Sequence, residues 1–206
     1  MLKARPTPFG RWFWQLFCRI SIRMYFRGPV WEMPQVPDSQ KSLLMVGNHV
    51  SWWDGFWMIR LNEMLFKREY YVMMLEEQLS PRPFMQQGGA FSIDPGSRSI
   101  VESLSYTAEL LKNPRNLVQM YPQGEIHSVY HDQFVFSPGI ERILKKAGDQ
   151  TQLYFFAALL DYFSEPKPLL RFYIEPYDHL SQASDSQSLE QAYRAFYKSC
   201  TARQKA

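Results

Sequence analysis

The 206 residues predict an α/β fold: a mixed, largely parallel sheet flanked by helices, with an amphipathic helix at the N-terminus. Three observations predict it. Short apolar runs such as Ser42-Leu43-Leu44-Met45-Val46 alternate with stretches of helical period. The clearest polar motifs directly follow the ends of those runs, where open α/β sheets carry their sites. Apolar residues make up 46% of the chain, enough for one ordinary domain with a sizeable core.

The first element runs from Phe9 to a stop at Gly28 and Pro29. Phe13, Phe17, Ile20 and Met24 share one apolar face, and Arg19, Arg23 and Arg27 form a neighbouring stripe into which Trp12, Leu16 and Phe26 intrude. Six of the 23 basic residues precede the first acid, Glu32, leaving 17 to face 20 acids, so the net +3 belongs to this segment. Aromatic residues reach 16%, and Trp and Tyr suit a surface half in lipid and half in water. The pattern predicts a membrane-interfacial helix within residues 1–30, touching the surface through 9–28, with its arginines snorkelling towards phosphates. The competing reading is a core-packing helix whose arginines pair with acids of the globular domain, residues 31–206.

Arg19 and Arg23 interrupt the apolar stretch and no small-residue cleavage site follows, so neither a signal peptide nor an ordinary spanning helix is expected. Cys18 and Cys200 match no metal or disulfide spacing and suit a reducing compartment. The expected location is the cytosolic face of a membrane, peripheral or monotopic. No basic patch with base-reading residues continues into the body, so nucleic acid is not an expected partner.

After a proline-rich connection, residues 42–46 predict a buried strand. Ser51 is placed to cap a helix from about Trp52 to Leu65, and residues 70–75 predict the next strand. Residues 86–94 read as a glycine-loosened loop or short strand. Ser99 with Glu102 forms the pattern of a capping box opening a helix to about Lys112. Residues 116–121 make a strand stopped by Pro122 and Gly124, and Pro138 to Ala147 a short helix closed by Gly148. Strands follow at 152–160 and 169–175, then a helix from about Ser188 to Arg203.

His49 lies just beyond the first of these strands, in the stretch Val46-Gly47-Asn48-His49-Val50-Ser51-Trp52-Trp53-Asp54. A five-residue offset would not stack His49 and Asp54 on one helix face. With His49 before the helix and Asp54 in its first turn, the carboxylate can reach back to one imidazole nitrogen while the other faces a substrate. Such a histidine deprotonates a substrate hydroxyl, which then attacks an activated carbonyl. Ser51 and Asp54 also fit a capping box, which leaves His49 as an ordinary loop residue in the competing reading.

Asn48-His49-x-Ser51-x-x-Asp54 resembles the Asn-His-x-Ser-x-x-Asp block of the glycerolipid acyltransferases, which acylate glycerol 3-phosphate and lysophospholipids. Gly88-Gly89-Ala90-Phe91-Ser92-Ile93-Asp94 is similar to the family's second block, Gly-x-x-Phe-x-x-Asp-Arg. Tyr121-Pro122-Gln123-Gly124-Glu125-Ile126-His127-Ser128 is similar to the third, Phe-Pro-Glu-Gly-Thr-Arg-Ser, and Phe136 to Gly139 to the Phe-x-x-Gly segment after it. The resemblance spans about residues 42–175.

It implies transfer of a fatty acyl group from acyl-CoA or acyl-carrier protein to a lipid hydroxyl at a membrane surface, with no cofactor and no metal. His49 is then the general base and Asp54 its orienting partner. Substrate contacts are expected from Asn48, Ser51, Gly89, Asp94, Arg98, Pro122, Gln123, Gly124 and Glu125. Backbone amides near the helix start or the Pro122-Gln123-Gly124 turn are expected to hold the oxyanion. The family's two phosphate-clamping arginines are replaced here by Pro95 and Ile126, and its third-block glutamate by Gln123. Those departures point to an acceptor with less phosphate character, with Arg98 the nearest compensating cation in sequence.

Two alternatives remain at this level. His127 and His131, four apart, with His49, would make a metal-dependent hydrolase if they lay on a helix. The altered second and third blocks also fit a non-catalytic lipid-binding protein on the same scaffold.

Overall fold

A computed structural model describes residues 1–182 and 185–204. Its centre is one seven-stranded sheet in the order β1-β7-β6-β2-β5-β3-β4. The strands are β1 Arg27–Glu32, β2 Ser42–Gly47, β3 Glu69–Leu75, β4 Ala90–Ile93, β5 Asn116–Met120, β6 Thr151–Asp161 and β7 Leu169–Tyr177. All neighbours pair in parallel except β6 and β7, which form an antiparallel hairpin. The sheet is mixed and largely parallel, as the alternating pattern predicts.

Both faces are covered. Helices α1 (Pro8–Tyr25) and α2 (Asp54–Leu61) pack on one side with Leu43, Met45, Leu117 and Phe156. Helices α4 (Ile100–Leu110), α5 (Ile140–Ala147) and α6 (Ser186–Arg203) pack on the other with Leu44, Val46, Val118 and Phe155. Alternate residues of β2 and β6 therefore feed opposite cores, which is why β2 is buried at every position. Trp57 of α2 is 1% exposed, and truncating it to alanine removes about 3–5 kcal/mol of packing. A short helix α3 (Glu76–Leu79) and a 3-10 segment, Pro83–Gly88, link β3 to β4.

Several boundaries differ from the expectation. Strand β1 was hidden by Gly28 and Pro29, which read as a stop. A proline is tolerated on an edge strand, and β1 borders only β7. The helix expected from Trp52 to Leu65 starts at Asp54 and passes into a π-helical turn at Asn62–Phe66. Ser51 is not its N-cap: the Ser51 hydroxyl accepts from the Trp53 amide at 3.1 Å, two residues early. The Ser99–Glu102 capping box does not form either, because Ser99 is already helical and its amide donates to the Ser97 hydroxyl.

Helix α1 begins where Thr7 accepts from the Gly10 amide at 2.9 Å, with Pro8 in its first turn. It presents two apolar faces. Trp14, Cys18 and Ile22 are buried against the body, while Phe9, Trp12, Phe13, Leu16, Ile20 and Met24 point outward and are exposed. Two arginines of the predicted stripe meet acids of the body: Arg19 of α1 pairs with Glu63, and Arg27, at the start of β1, pairs with Glu165. Arg11, outside the stripe, pairs with Glu69.

Candidate active site

Strand β2 delivers His49 to the carboxyl end of the sheet. Gly47 closes the strand, and Asn48, fully buried, locks its end in place. The Asn48 carboxamide donates to the Ala158 carbonyl at 3.0 Å and accepts from the Ala158 amide at 2.9 Å, extending the β2–β6 pairing through a side chain. The neighbouring parallel strand β5 ends beside it and leads into Tyr121-Pro122-Gln123-Gly124. The chain leaves β2 for α2 on one face and leaves β5 for α5 on the opposite face. That divergence opens a crevice beyond the strand ends, the usual position of a site in an open α/β sheet.

Within the crevice, Asp54 Oδ2 lies 2.7 Å from His49 Nδ1 and also accepts from the amides of Val50 (2.8 Å) and Ser51 (3.0 Å). The loop is wound around this one oxygen. Burial raises the Asp54 carboxyl above the ordinary carboxylate range, and the hydrogen bond and charge of His49 and the two amides pull it back down. With Nδ1–H donating to the carboxylate, Nε2 keeps its lone pair and can accept a proton. The imidazole is also held across its face: Tyr121 stacks on it at 4.5 Å between centroids and 18° between planes.

Behind Tyr121 runs a buried polar chain in which Gln119 bonds the hydroxyls of both Tyr70 and Tyr121, and Tyr70 also reaches the Gly55 carbonyl at 3.3 Å. Burial pushes both phenols well above their usual value, so each stays neutral.

His49 and Tyr121 open onto a cavity of about 500 Å³ between α1, α2, β3, β4 and the linking helical segment. Trp14, Phe56, Ile59, Val72, Met73 and Met85 give it an apolar wall. Glu77, Gln78 and Arg82 lie on its α3 side, and Gly124, Glu125 and Ile126 on the side nearest His49.

The predicted site residues fall into distinct places. His49 and Asp54 meet, and Gly124 and Glu125 line the cavity. Asn48 serves the β2–β6 junction and Ser51 the loop around Asp54. Gly89 sits at φ +108, where a Cβ would strike the Tyr70 carbonyl, so its role is a close backbone approach. Asp94 accepts from the Gly96 amide at 3.1 Å in a turn, and Arg98 beyond it is exposed and does not line the cavity. Pro122 is buried, its carbonyl accepting from the Ser137 amide, and Gln123 is buried against the His49 backbone. The Gly124 amide donates to the Tyr121 carbonyl at 3.0 Å, so it is spent within the turn expected to offer oxyanion donors.

Sequence reasoning missed Tyr121, Tyr70 and Gln119, and it missed Arg82 as the cation of the cavity wall. Only the position of Tyr121, an aromatic residue opening the third block, offered a signal.

The metal-hydrolase arrangement does not assemble. His127 and His131 lie in a loop rather than on a helix, with ring centroids 4.7 Å apart. His127 Nε2 faces Glu125 at 3.0 Å, His131 Nε2 faces the Gln133 carbonyl at 2.7 Å, and His49 Nδ1 is engaged by Asp54. Among the described residues no group of three or more His, Cys, Asp or Glu side chains is arranged to hold a metal ion.

Comparison with known proteins identifies the family and the fold. The family described as Acyltransferase matches residues 31–157. No curated protein matches the sequence. Among solved structures, the 1-acyl-sn-glycerophosphate (LPA) acyltransferase PlsC from Thermotoga maritima is similar in fold, with a TM-score of 0.64 over 95% of this chain and 81% of that one, at 16% identity.

Proposed function

The chain belongs to the acyltransferase family, and from that premise we propose that it moves a fatty acyl group from an acyl thioester, acyl-CoA or acyl-carrier protein, to a hydroxyl of a lysophospholipid or other lipid alcohol. The observation that carries this reading is the opening of the His49–Asp54 pair onto the apolar cavity. Each methylene of an acyl chain buried there contributes about 0.8 kcal/mol, which favours a long apolar donor.

His49 Nε2 takes the proton of the acceptor hydroxyl, and the resulting oxygen nucleophile attacks the thioester carbonyl. Asp54 holds the imidazole in the required tautomer and stabilises the imidazolium. The amino end of α2, whose Gly55 lines the cavity, is placed to stabilise the oxyanion. Collapse breaks the carbon–sulfur bond, and the thiolate receives the proton from His49. The products are the acylated acceptor and the free thiol carrier.

The polar wall of the cavity supports an acceptor without a phosphate monoester. Glu77 and Glu125 oppose one guanidinium, Arg82, which already donates to the Gln78 carbonyl at 2.8 Å. A dianionic head group meets more negative than positive charge there.

Association with a membrane surface is supported by the outward face of α1 together with Trp52 (61% exposed) and Phe84 (51% exposed). Phe84 stacks on Trp14 and Trp52 packs on Phe56, so this apolar surface is continuous with the cavity wall. No helix among the described residues is long and apolar enough to cross a membrane. The two free cysteines fit a cytosolic face.

The test is an acylation assay on a total lipid extract with labelled palmitoyl-CoA and palmitoyl-acyl-carrier protein, comparing wild type with His49→Ala. Product confined to wild type is expected, and its mass identifies the acceptor. Equal labelling by both proteins would remove His49 from the mechanism.

A further inference from the structure

We propose that Gln123 is a positioning residue, whose carboxamide clamps the backbone of His49 and so sets where the imidazole points. The proposal rests on the reading of His49 as the base. Gln123 Oε1 accepts from the His49 amide at 3.2 Å, and Gln123 Nε2 donates to the His49 carbonyl at 3.2 Å and to the Glu125 carbonyl at 3.1 Å. Both backbone groups of one residue are thus paired with one side chain, as an adjacent strand would pair them. The His127 amide gives the same carbonyl a second donor at 2.9 Å.

The arrangement mirrors Asn48 on the other flank. Asn48 carries the β2–β6 pairing one residue further, and Gln123 does the same between the loop after β2 and the turn after β5. His49 lies just past the end of the regular ladder, so its amide would otherwise lack a partner on the β5 side. The residue type follows from the chemistry. A carboxamide donates and accepts at once, whereas a carboxylate would turn lone pairs towards two carbonyl oxygens. Gln123 is 9% exposed and does not line the cavity, so it acts through His49 rather than on substrate.

The experiment uses the full chain with Gln123→Glu and Gln123→Ala beside wild type and His49→Ala. Two quantities are read: nitrogen-15 NMR signals of the His49 imidazole, and steady-state acylation with palmitoyl-CoA and total lipid extract across pH. Both Gln123 variants are expected to move the imidazole signals and lower kcat about tenfold to a hundredfold, with KM for the thioester changed less than about twofold. Gln123→Glu should also move the acidic limb of the rate profile upward, because a nearby carboxylate favours the imidazolium, and Gln123→Ala should not. Unmoved imidazole signals in both variants would overturn the proposal, as would a rise in KM with unchanged kcat. Wild-type turnover by His49→Ala would overturn the assignment of the base instead, and shifted imidazole signals in Gln123→Glu would still support the clamp.

Discussion

The ring of Phe156 occupies the space that a Cβ on Gly47 would need. Phe156 also packs edge-on against Tyr121, at 6.0 Å and 71°, and Tyr121 in turn stacks on His49. The last residue of β2 is therefore tied to the imidazole two positions later through a ring on β6 and a ring beyond β5.

Gly47→Ala forces Phe156 to shift. It should cost about 1–3 kcal/mol of stability and displace Tyr121 beneath His49. Acyl transfer is expected to fall by more than the loss of folded protein explains. Thermal melts and turnover on the same samples check this, and wild-type values in both would mean that the rings are not tightly coupled.

Asp54→Asn separates stability from chemistry. The folded carboxyl is raised above its unfolded value, so its contribution to stability is present in full below the unfolded value and is lost as pH rises through the folded one. At neutral pH a neutral asparagine escapes the burial penalty. The variant should melt at or above the wild-type temperature while transfer falls about 10²–10⁴-fold. A variant that melts lower at pH 7 but keeps wild-type turnover would contradict both halves.

The two faces of α1 should respond oppositely. Trp12→Ser, Phe13→Ser and Leu16→Ser together remove exposed rings and a leucine, leaving the melting temperature nearly unchanged while reducing cosedimentation with anionic phospholipid vesicles about tenfold. Trp14→Ala, on the buried face, should lower the melting temperature, since Trp14 packs on Phe56 and Phe84. Undiminished vesicle binding by the triple variant would remove α1 from the membrane contact.

Ile126→Arg adds a guanidinium to the cavity wall beside Glu125. Relative turnover on 1-acylglycerol 3-phosphate against monoacylglycerol should rise about tenfold, the scale of one charge-assisted hydrogen bond. An unchanged ratio would mean that acceptor head groups do not reach this side of the cavity.

Much of the framework is legible in local signals. The runs at 42–46, 70–75 and 116–121 read as strands because adjacent apolar residues in each serve both faces, as a sheet covered on both sides requires. The His49–Asp54 pairing is also legible, because five residues of loop and first helical turn suffice to bring the two together. Local reasoning fails where a residue has two uses. Gly28 and Pro29 signal a stop but lie in an edge strand, and Ser99 and Glu102 match a capping box whose serine is already helical.

By itself, the sequence determined the α/β class, the place of His49 beyond a strand end, and the amphipathic character of the first helix. Tertiary structure alone decided which face of that helix is buried, which arginines are neutralised, and what surrounds the imidazole. Arg19 meets Glu63 across 44 residues, and His49 meets Gln123 across 74. Local propensity acts over a few residues, whereas contacts at these separations exist only after β2, β5 and β6 have settled into register side by side.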